Sequence, residues 1–204
     1  RPYIIAEASG NHAQDYGIAE ALVVAAAGAG ADAIKFHTFL GHTIAAEVPI
    51  PRGHDAAHDA WLDRLGVRTL QDLFRDRGGL PRAWHQPLKA LAASRGIAFL
   101  STPFSIDDAR FLVEDIHVPA LKIASGDITF IPLLQYAALT GLPLLLSTGA
   151  STYKEIMDAL IVINTARGCH TYAHLADVIV LHCRKNLLVE RKDGSVLGGS
   201  SRKE

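Results

Sequence analysis

Two lysines stand where buried β-strands should end, a position in which an ammonium group calls for an anion or a reaction. Lys122 lies in the apolar run Ala120-Leu121-Lys122-Ile123-Ala124, which stops at Ser125-Gly126-Asp127, and Lys35 lies in Ile34-Lys35-Phe36-His37-Thr38. Two further runs turn polar in the same way, Phe99-Leu100-Ser101-Thr102-Pro103-Phe104 and Leu145-Leu146-Ser147-Thr148-Gly149. If these ends meet, Lys35 and Lys122 suit a dianionic or trianionic ligand such as a phosphorylated carboxylate, held by charge-assisted hydrogen bonds. The hydroxyls of Thr102, Ser125 and Ser147 and nearby backbone N–H groups would add donors for phosphate oxygens. One such lysine alone would be read as snorkelling to solvent; two beside three hydroxyl-bearing strand ends favour a site.

Glu7 closes another short apolar run, Tyr3-Ile4-Ile5-Ala6-Glu7. Three roles are open to it: orienting a substrate hydroxyl, general acid or base chemistry, or a structural ion pair with Lys35. His12 and His37 fall near the same mouth and, with no spaced metal ligands around them, read as hydrogen-bonding groups. His42, His54, His58, His85, His117, His170 and His174 read as loop or surface residues. A lysine in an apolar strand can also lose its proton readily, so a Schiff-base aldolase using Lys122 is a second reading. A non-catalytic anion-binding fragment is the third.

These residues need strands to carry them. Apolar runs over 3–7, 33–38, 97–102, 120–124, 142–147 and 178–181 predict six strands. Between them, helices are expected over 16–28, 81–94, from Ser105, over 131–140 and over 153–166. Pro81 suits a first helical turn, Ser105 is cap-like, and Thr152-Tyr153-Lys154-Glu155 has capping-box spacing. Residues 40–79, with prolines and short charged helical pieces around 61–65 and 70–74, read as an insertion. Continuous apolar strands alternating with helices imply a parallel sheet. No Gly-x-Gly-x-x-Gly follows the first strand, which argues against a dinucleotide fold. Glu7, Lys35, Thr102, Lys122, Ser147 and His182 all occupy C-terminal strand ends, as active residues of an α/β TIM-type barrel do. The expected architecture is therefore an incomplete barrel, six of eight strand-helix units over residues 1–189, with edges exposed at its first and last strands and a disordered or poorly packed tail over 190–204.

The bulk properties narrow the partners. The chain has 204 residues, of which 49% are hydrophobic, enough for one sizeable core, and a formal net charge of −1. That balance gives no electrostatic footprint for nucleic acid or an anionic membrane, so a small-molecule partner is expected. Cys169 and Cys183 make neither a disulfide framework nor a zinc site and read as buried thiols. No signal or membrane-spanning run is evident, so a soluble, cytoplasmic protein is expected.

Six motifs in order resemble the sialic acid synthase family, which includes pseudaminic and legionaminic acid synthases: Ile4-Ile5-Ala6-Glu7 with Gly10-Asn11-His12, Ala31-Asp32-Ala33-Ile34-Lys35-Phe36 with Thr38, Phe99 to Phe104, Leu121 to Gly126, Leu146 to Gly149, and Leu181-His182-Cys183. The resemblance covers roughly residues 3–183. It implies a TIM barrel that condenses phosphoenolpyruvate with an N-acetylated amino sugar and releases phosphate. It places Lys35, Thr102, Lys122, Ser125 and Ser147 on phosphoenolpyruvate, and Glu7 and Phe104 on the sugar side. His37 stands where that family usually has Gln, and Asp127 where it usually has Glu, so both are positions of altered sugar contact. The resemblance also implies a divalent metal, Mn or Mg, whose histidine ligands belong to seventh and eighth strands absent from this chain. Homodimers in which a C-terminal antifreeze-like domain covers the partner's site are implied as well.

Overall fold

The computed structural model describes residues 1–75, 78–168 and 175–183, together with the backbone of 189–190 and 196–197. The elements run β1 (Ile5–Ser9), α1 (Tyr16–Gly28), β2 (Ala33–Thr38), α2 (Gly41–Ile44), α3 (Ala56–Arg64), α4 (Leu70–Arg75), α5 (Arg82–Ser94), β3 (Ala98–Pro103) and α6 (Ile106–Arg110). They continue with β4 (Leu121–Ile123), α7 (Ile131–Leu139), β5 (Leu144–Ser147), α8 (Tyr153–Ala166) and β6 (Val178–Leu181). All six strands are parallel, in ladders β1-β2-β3 and β4-β5-β6 that abut along β3 and β4.

Strand side chains alternate between two environments, as the period of two requires. Ile34, Phe36, Phe99, Leu121, Ile123, Leu144 and Leu146 face the helices and pack with Val23, Leu88, Leu112, Leu133 and Ile163. The alternate positions Ile5, Ala33, Ala98, Leu100, Leu145 and Leu181 meet on the inner side. Continuing along that inner face toward the strand C-termini places Glu7, Lys35, His37, Thr102, Lys122 and Ser147 at one end. The middle strands are largely apolar because both faces are covered, whereas Ile179 and Val180 of β6 are exposed.

The caps agree with the sequence. Ser105 accepts from the Asp108 N–H at 3.1 Å, and Thr152 and Glu155 form a reciprocal capping box. Pro81 differs: it is the N-cap residue of α5, with ψ of 133°, and the helix begins at Arg82. Strand β1 also starts later than expected and runs on to Ser9, because its ladder begins at Ile5 opposite Ala33 and carries a bulge between Glu7 and Ser9.

His85, expected at the surface, is fully buried on α5. Its Nδ1–H donates to the Pro81 carbonyl at 3.1 Å, leaving Nε2 to accept from Thr38 at 2.7 Å. Thr38 in turn meets Ser101 at 2.6 Å. This chain ties α5 to β2 and β3. Burial drives the His85 pKa down to about 4, so the ring is neutral. His42, His54, His58 and His117 are exposed as expected.

Six parallel strands are described, so the α/β class holds, while a helix after β6 would fall outside the described residues. His170, His174 and Cys169 also lie outside them, and Cys183 is half-buried rather than buried. Within the expected tail, the described backbone pairs β7 (Val189–Glu190) antiparallel to β8 (Val196–Leu197). Among the described residues, no helix is long and apolar enough to cross a membrane. Thr152→Ala removes the α8 cap and should lower unfolding stability by about 1 kcal/mol in urea titration without changing the m-value.

Candidate active site

The inner strand ends enclose a cavity of about 340 Å³, lined by Glu7, Lys35, Lys122 and Ser147 among polar groups, and by Tyr3, Ile5, Leu145 and Leu181. The register explains the convergence. Glu7 pairs across the ladder with Lys35, and the next pairing brings Ser9 opposite Phe36 because Ala8 is bulged out. Ser9 adopts a positive φ of 44°, uncommon for a residue with a Cβ. Glu7 and Ser9 share the mouth by alternation, and the bulge lets Ser9 fold back onto Glu7.

Lys35 is 6% exposed and forms an ion pair with Glu7 Oε2, while also donating to Thr102 Oγ1 at 3.3 Å. The other carboxylate oxygen, Oε1, accepts from the Ser9 N–H at 3.1 Å and the Ser9 hydroxyl at 2.9 Å. Lys122 is 8% exposed and donates to the Ile123 carbonyl at 2.9 Å. Burial, reinforced by the Lys35 charge, pulls the Lys122 pKa down to about 8. Two cations face one carboxylate lining the cavity, and it is Lys35 that contacts it. That imbalance makes the cavity an anion site.

His37 stands between this cavity and a second one. Its Nε2 lies 3.3 Å from Ser9 Oγ and 3.9 Å from Glu7 Oε1. Burial lowers its pKa to about 4, Glu7 opposes the shift, and Lys35, Lys122 and His12 add to it. The second cavity, about 570 Å³, is lined by His37, Phe39, Ile44, Leu73, Phe74 and Phe104, with the backbones of Gly10 and Gly78. A Cβ on Gly10 would come within 2.4 Å of Gly78 Cα, so glycine permits this seam. Gln14 Nε2 holds it by donating to the Gly79 carbonyl at 2.9 Å.

The structure thus gathers Glu7, Lys35, Lys122 and Ser147 around one cavity, with Thr102 behind Lys35, and puts His37 and Phe104 on the other. Ser125 and Asp127 occupy the tight turn after β4 and line neither cavity. Asp127 is half-buried, its Oδ2 has no hydrogen-bond partner, and burial raises its pKa against the opposing pull of Lys122. His182, just after β6, is exposed. Ser9 carried no functional signal in the sequence, and Phe39 and Phe74 none beyond their aromatic character. Cys183 joins Ser147 at the rim: burial pushes its thiol up, but hydrogen bonds from Ser147, Thr148 and Gly149, with Lys122 nearby, bring it below its usual value. Among the described residues, no three His, Cys, Asp or Glu groups converge as a metal would require, so the described residues do not fit a metal centre.

A parallel strand-helix protein with a cationic cavity at the C-terminal strand ends belongs to a class in which such ends do chemistry. Residues 22–192 match the NeuB family, and the chain belongs to it. It is 35% identical over 191 residues to the N,N'-diacetyllegionaminic acid synthase of Legionella pneumophila, covering 94% of this chain and 51% of that protein. The structure of a sialic acid synthetase from Leptospira borgpetersenii superimposes with a TM-score of 0.70 at 28% identity, covering 94% of this chain and 57% of that one. A truncated 3-deoxy-D-arabino-heptulosonate 7-phosphate synthase from Thermotoga maritima, at 13% identity and TM-score 0.56, covers 87% of this chain and 49% of its own and shows a likeness of fold, of the TIM-barrel type. The chain therefore spans about half the length of the relatives it matches.

The depressed pKa values set a pH signature. Between about 8 and 10.5 the unfolded chain holds a proton on Lys122 that the folded chain has lost, so this contribution to stability rises with pH across that window. Between about 6.5 and 4 the unfolded chain gains a proton on His37 that the folded chain refuses, so stability falls as pH drops. Urea titrations across pH should show both slopes, and Lys122→Met should flatten the alkaline one.

Proposed function

We propose that this chain supplies the phosphoenolpyruvate half of an enzyme that condenses phosphoenolpyruvate with an N-acetylated amino sugar to give a nonulosonic acid and inorganic phosphate. The observation that carries this reading is the pair of buried ammonium groups, Lys35 and Lys122, over one cavity beside Ser147 and Thr102. A phosphorylated carboxylate supplies the negative charge that Glu7 alone does not. The Leptospira relative was solved in complex with citrate, itself a multiply charged carboxylate.

In this reading Lys35 and Lys122 hold the phosphate and carboxylate, with the Ser147 and Thr102 hydroxyls completing the donors; Ser125, which lines neither cavity, enters only through the family resemblance. The enol carbon then attacks the aldehyde carbon of the open-chain sugar, forming the new carbon-carbon bond, while the aldehyde oxygen takes up a proton. Water adds to the resulting cationic carbon, and the tetrahedral adduct expels phosphate. Fixed, buried ammonium groups stabilise the charges that shift in these steps without reorganising. Glu7 orients the acceptor and holds Lys35 in place, and Asp127, which lines neither cavity, is an acceptor position only through the family resemblance. A divalent metal, Mn or Mg, and a homodimeric assembly enter this proposal through the family resemblance, and no step is assigned to the metal. Cytoplasmic location belongs to the same reading.

One observation favours a Schiff-base alternative: the Lys122 amine, brought down to about 8, is partly unprotonated near neutrality. Borohydride reduction with a carbonyl substrate present would then leave a covalent adduct on Lys122; its absence removes that reading.

The direct test is ligand-induced stabilisation by phosphoenolpyruvate. Binding should weaken as pH rises through about 8, where Lys122 loses its charge. Lys122→Met should cut affinity about tenfold to a hundredfold, the worth of a hydrogen bond to a charged group. Phosphate release should follow on adding manganese and N-acetylmannosamine or a related sugar to a protein that includes the remaining barrel segments. No stabilisation by phosphoenolpyruvate at any pH would refute the proposal.

A further inference from the structure

Ser9 lines neither cavity, yet its hydrogen bonds join a wall residue of each, Glu7 on one side and His37 on the other. Its φ of 44° is a left-handed conformation that a residue with a Cβ adopts rarely and at a cost. Glycine would take that backbone without strain, so the turn by itself gives no reason for a hydroxyl. The hydroxyl is in use all the same: together with the Ser9 N–H it donates to one atom, Glu7 Oε1, at 2.9 and 3.1 Å.

The direction of each bond follows from its ends. Glu7 Oε2 is in the ion pair with Lys35, and a carboxylate so paired can only accept, so Ser9 gives its hydroxyl proton to Oε1. The Ser9 oxygen is left to accept, and His37 Nε2, at 3.3 Å, donates to it. His37 is neutral and carries one N–H, which this contact puts on Nε2. At 3.9 Å His37 Nε2 is too far from Glu7 Oε1 to bond it directly, so Ser9 is the bridge. A one-way chain therefore runs from His37 through Ser9 and Glu7 to Lys35.

That chain keeps Glu7 from turning to the second ammonium group. Glu7 and Lys122 line the same cavity, and the Glu7 side chain is 47% exposed, so hydrogen bonds rather than packing fix its carboxylate. With Oε1 released, the carboxylate would be drawn to Lys122 as well and would cancel the charge that an anion needs. We infer that Ser9 is a positioning residue whose N–H and hydroxyl hold the Glu7 carboxylate on Lys35 and away from Lys122, keeping Lys122 available to an anionic ligand, while its oxygen fixes the tautomer of His37. The identity of that ligand rests on the phosphoenolpyruvate reading; the hydrogen-bond chain does not.

Ser9→Ala and Ser9→Gly, made in the 204-residue chain, test it, because both remove the hydroxyl while glycine also relieves the strained φ. Calorimetric titration should show both variants binding phosphoenolpyruvate about threefold to tenfold more weakly, the worth of one hydrogen bond. Proton–nitrogen NMR of the histidine rings, with His37 identified by the signals lost in His37→Gln, should show the Nε2–H tautomer in the parent and a mixture in both variants. Lys122 faces Glu7 on β1, Lys35 on β2, Asp127 after its own strand and Cys183 after β6. Nearer approach of Glu7 favours its charged form, so the rise in stability with pH should begin above about 8 in both variants. The inference is overturned if Ser9→Gly binds as the parent does, if affinity falls with no change in the His37 tautomer, or if the parent lacks the Nε2–H tautomer. The titration is repeated with inorganic phosphate. Weaker phosphate binding in both variants, with no binding of phosphoenolpyruvate to the parent, upholds Ser9 and counts against the condensation reading; binding of neither anion to the parent overturns both.

Discussion

The contact between Lys35 and Glu7 is the constraint on which the site depends. A buried ammonium group is tolerated only where a partner offsets its lost hydration, and Glu7, itself half-exposed, is that partner for Lys35. Here one carboxylate oxygen is committed to Lys35 and the other to Ser9, so Lys122 is left with a backbone carbonyl. Burial is the main cause of the lowered Lys122 and His37 pKa values, and the surplus of positive charge adds to both; the affinity proposed for a multiply charged ligand follows from that shortage of negative charge.

The backbone makes the contact possible through parity and one irregularity. Inner positions on β2, β3, β4 and β5 come at alternate residues, which brings Lys35, Thr102, Lys122 and Ser147 to the same side. Strand β1 would have turned Ser9 to that side by alternation too, but the bulge at Ala8 shifts its register relative to Phe36 and lets Ser9 fold back onto Glu7. Behind the sheet, the chain from Ser101 through Thr38 to His85 locks β2 and β3 to α5. The charged face is thus stiffened by neutral hydrogen bonds on the opposite face.

Much of this was legible in the sequence because strand ends announce themselves: an apolar run that turns polar identifies both the element and its functional end. Lys35, Lys122, Glu7 and Ser147 were readable on that ground, and the caps at Ser105 and Thr152 on local hydrogen-bond chemistry. His85 was not, because a histidine on an amphipathic helix reads as surface unless its partners on two distant strands are known. Ser9 escaped for a similar reason, since its role depends on a bulge, and a bulge is set by cross-strand register rather than by local composition. The aromatic wall of Phe39, Phe74 and Phe104 joins residues from separate segments and has no period to betray it.

The two cavities are built from unlike materials. The cationic one hangs on ladder strands whose every shift would disturb several neighbours, whereas the apolar one takes Phe39, Ile44, Leu73 and Phe74 from the segment between β2 and α5, where short helices α2 and α4 meet with few ladder bonds. Exchange of residues in that segment can therefore retune what is accepted while leaving the donor grip intact. A fold divided in this way is free to diversify in one half under selection that holds the other still, with His37 as the hinge of inheritance between them.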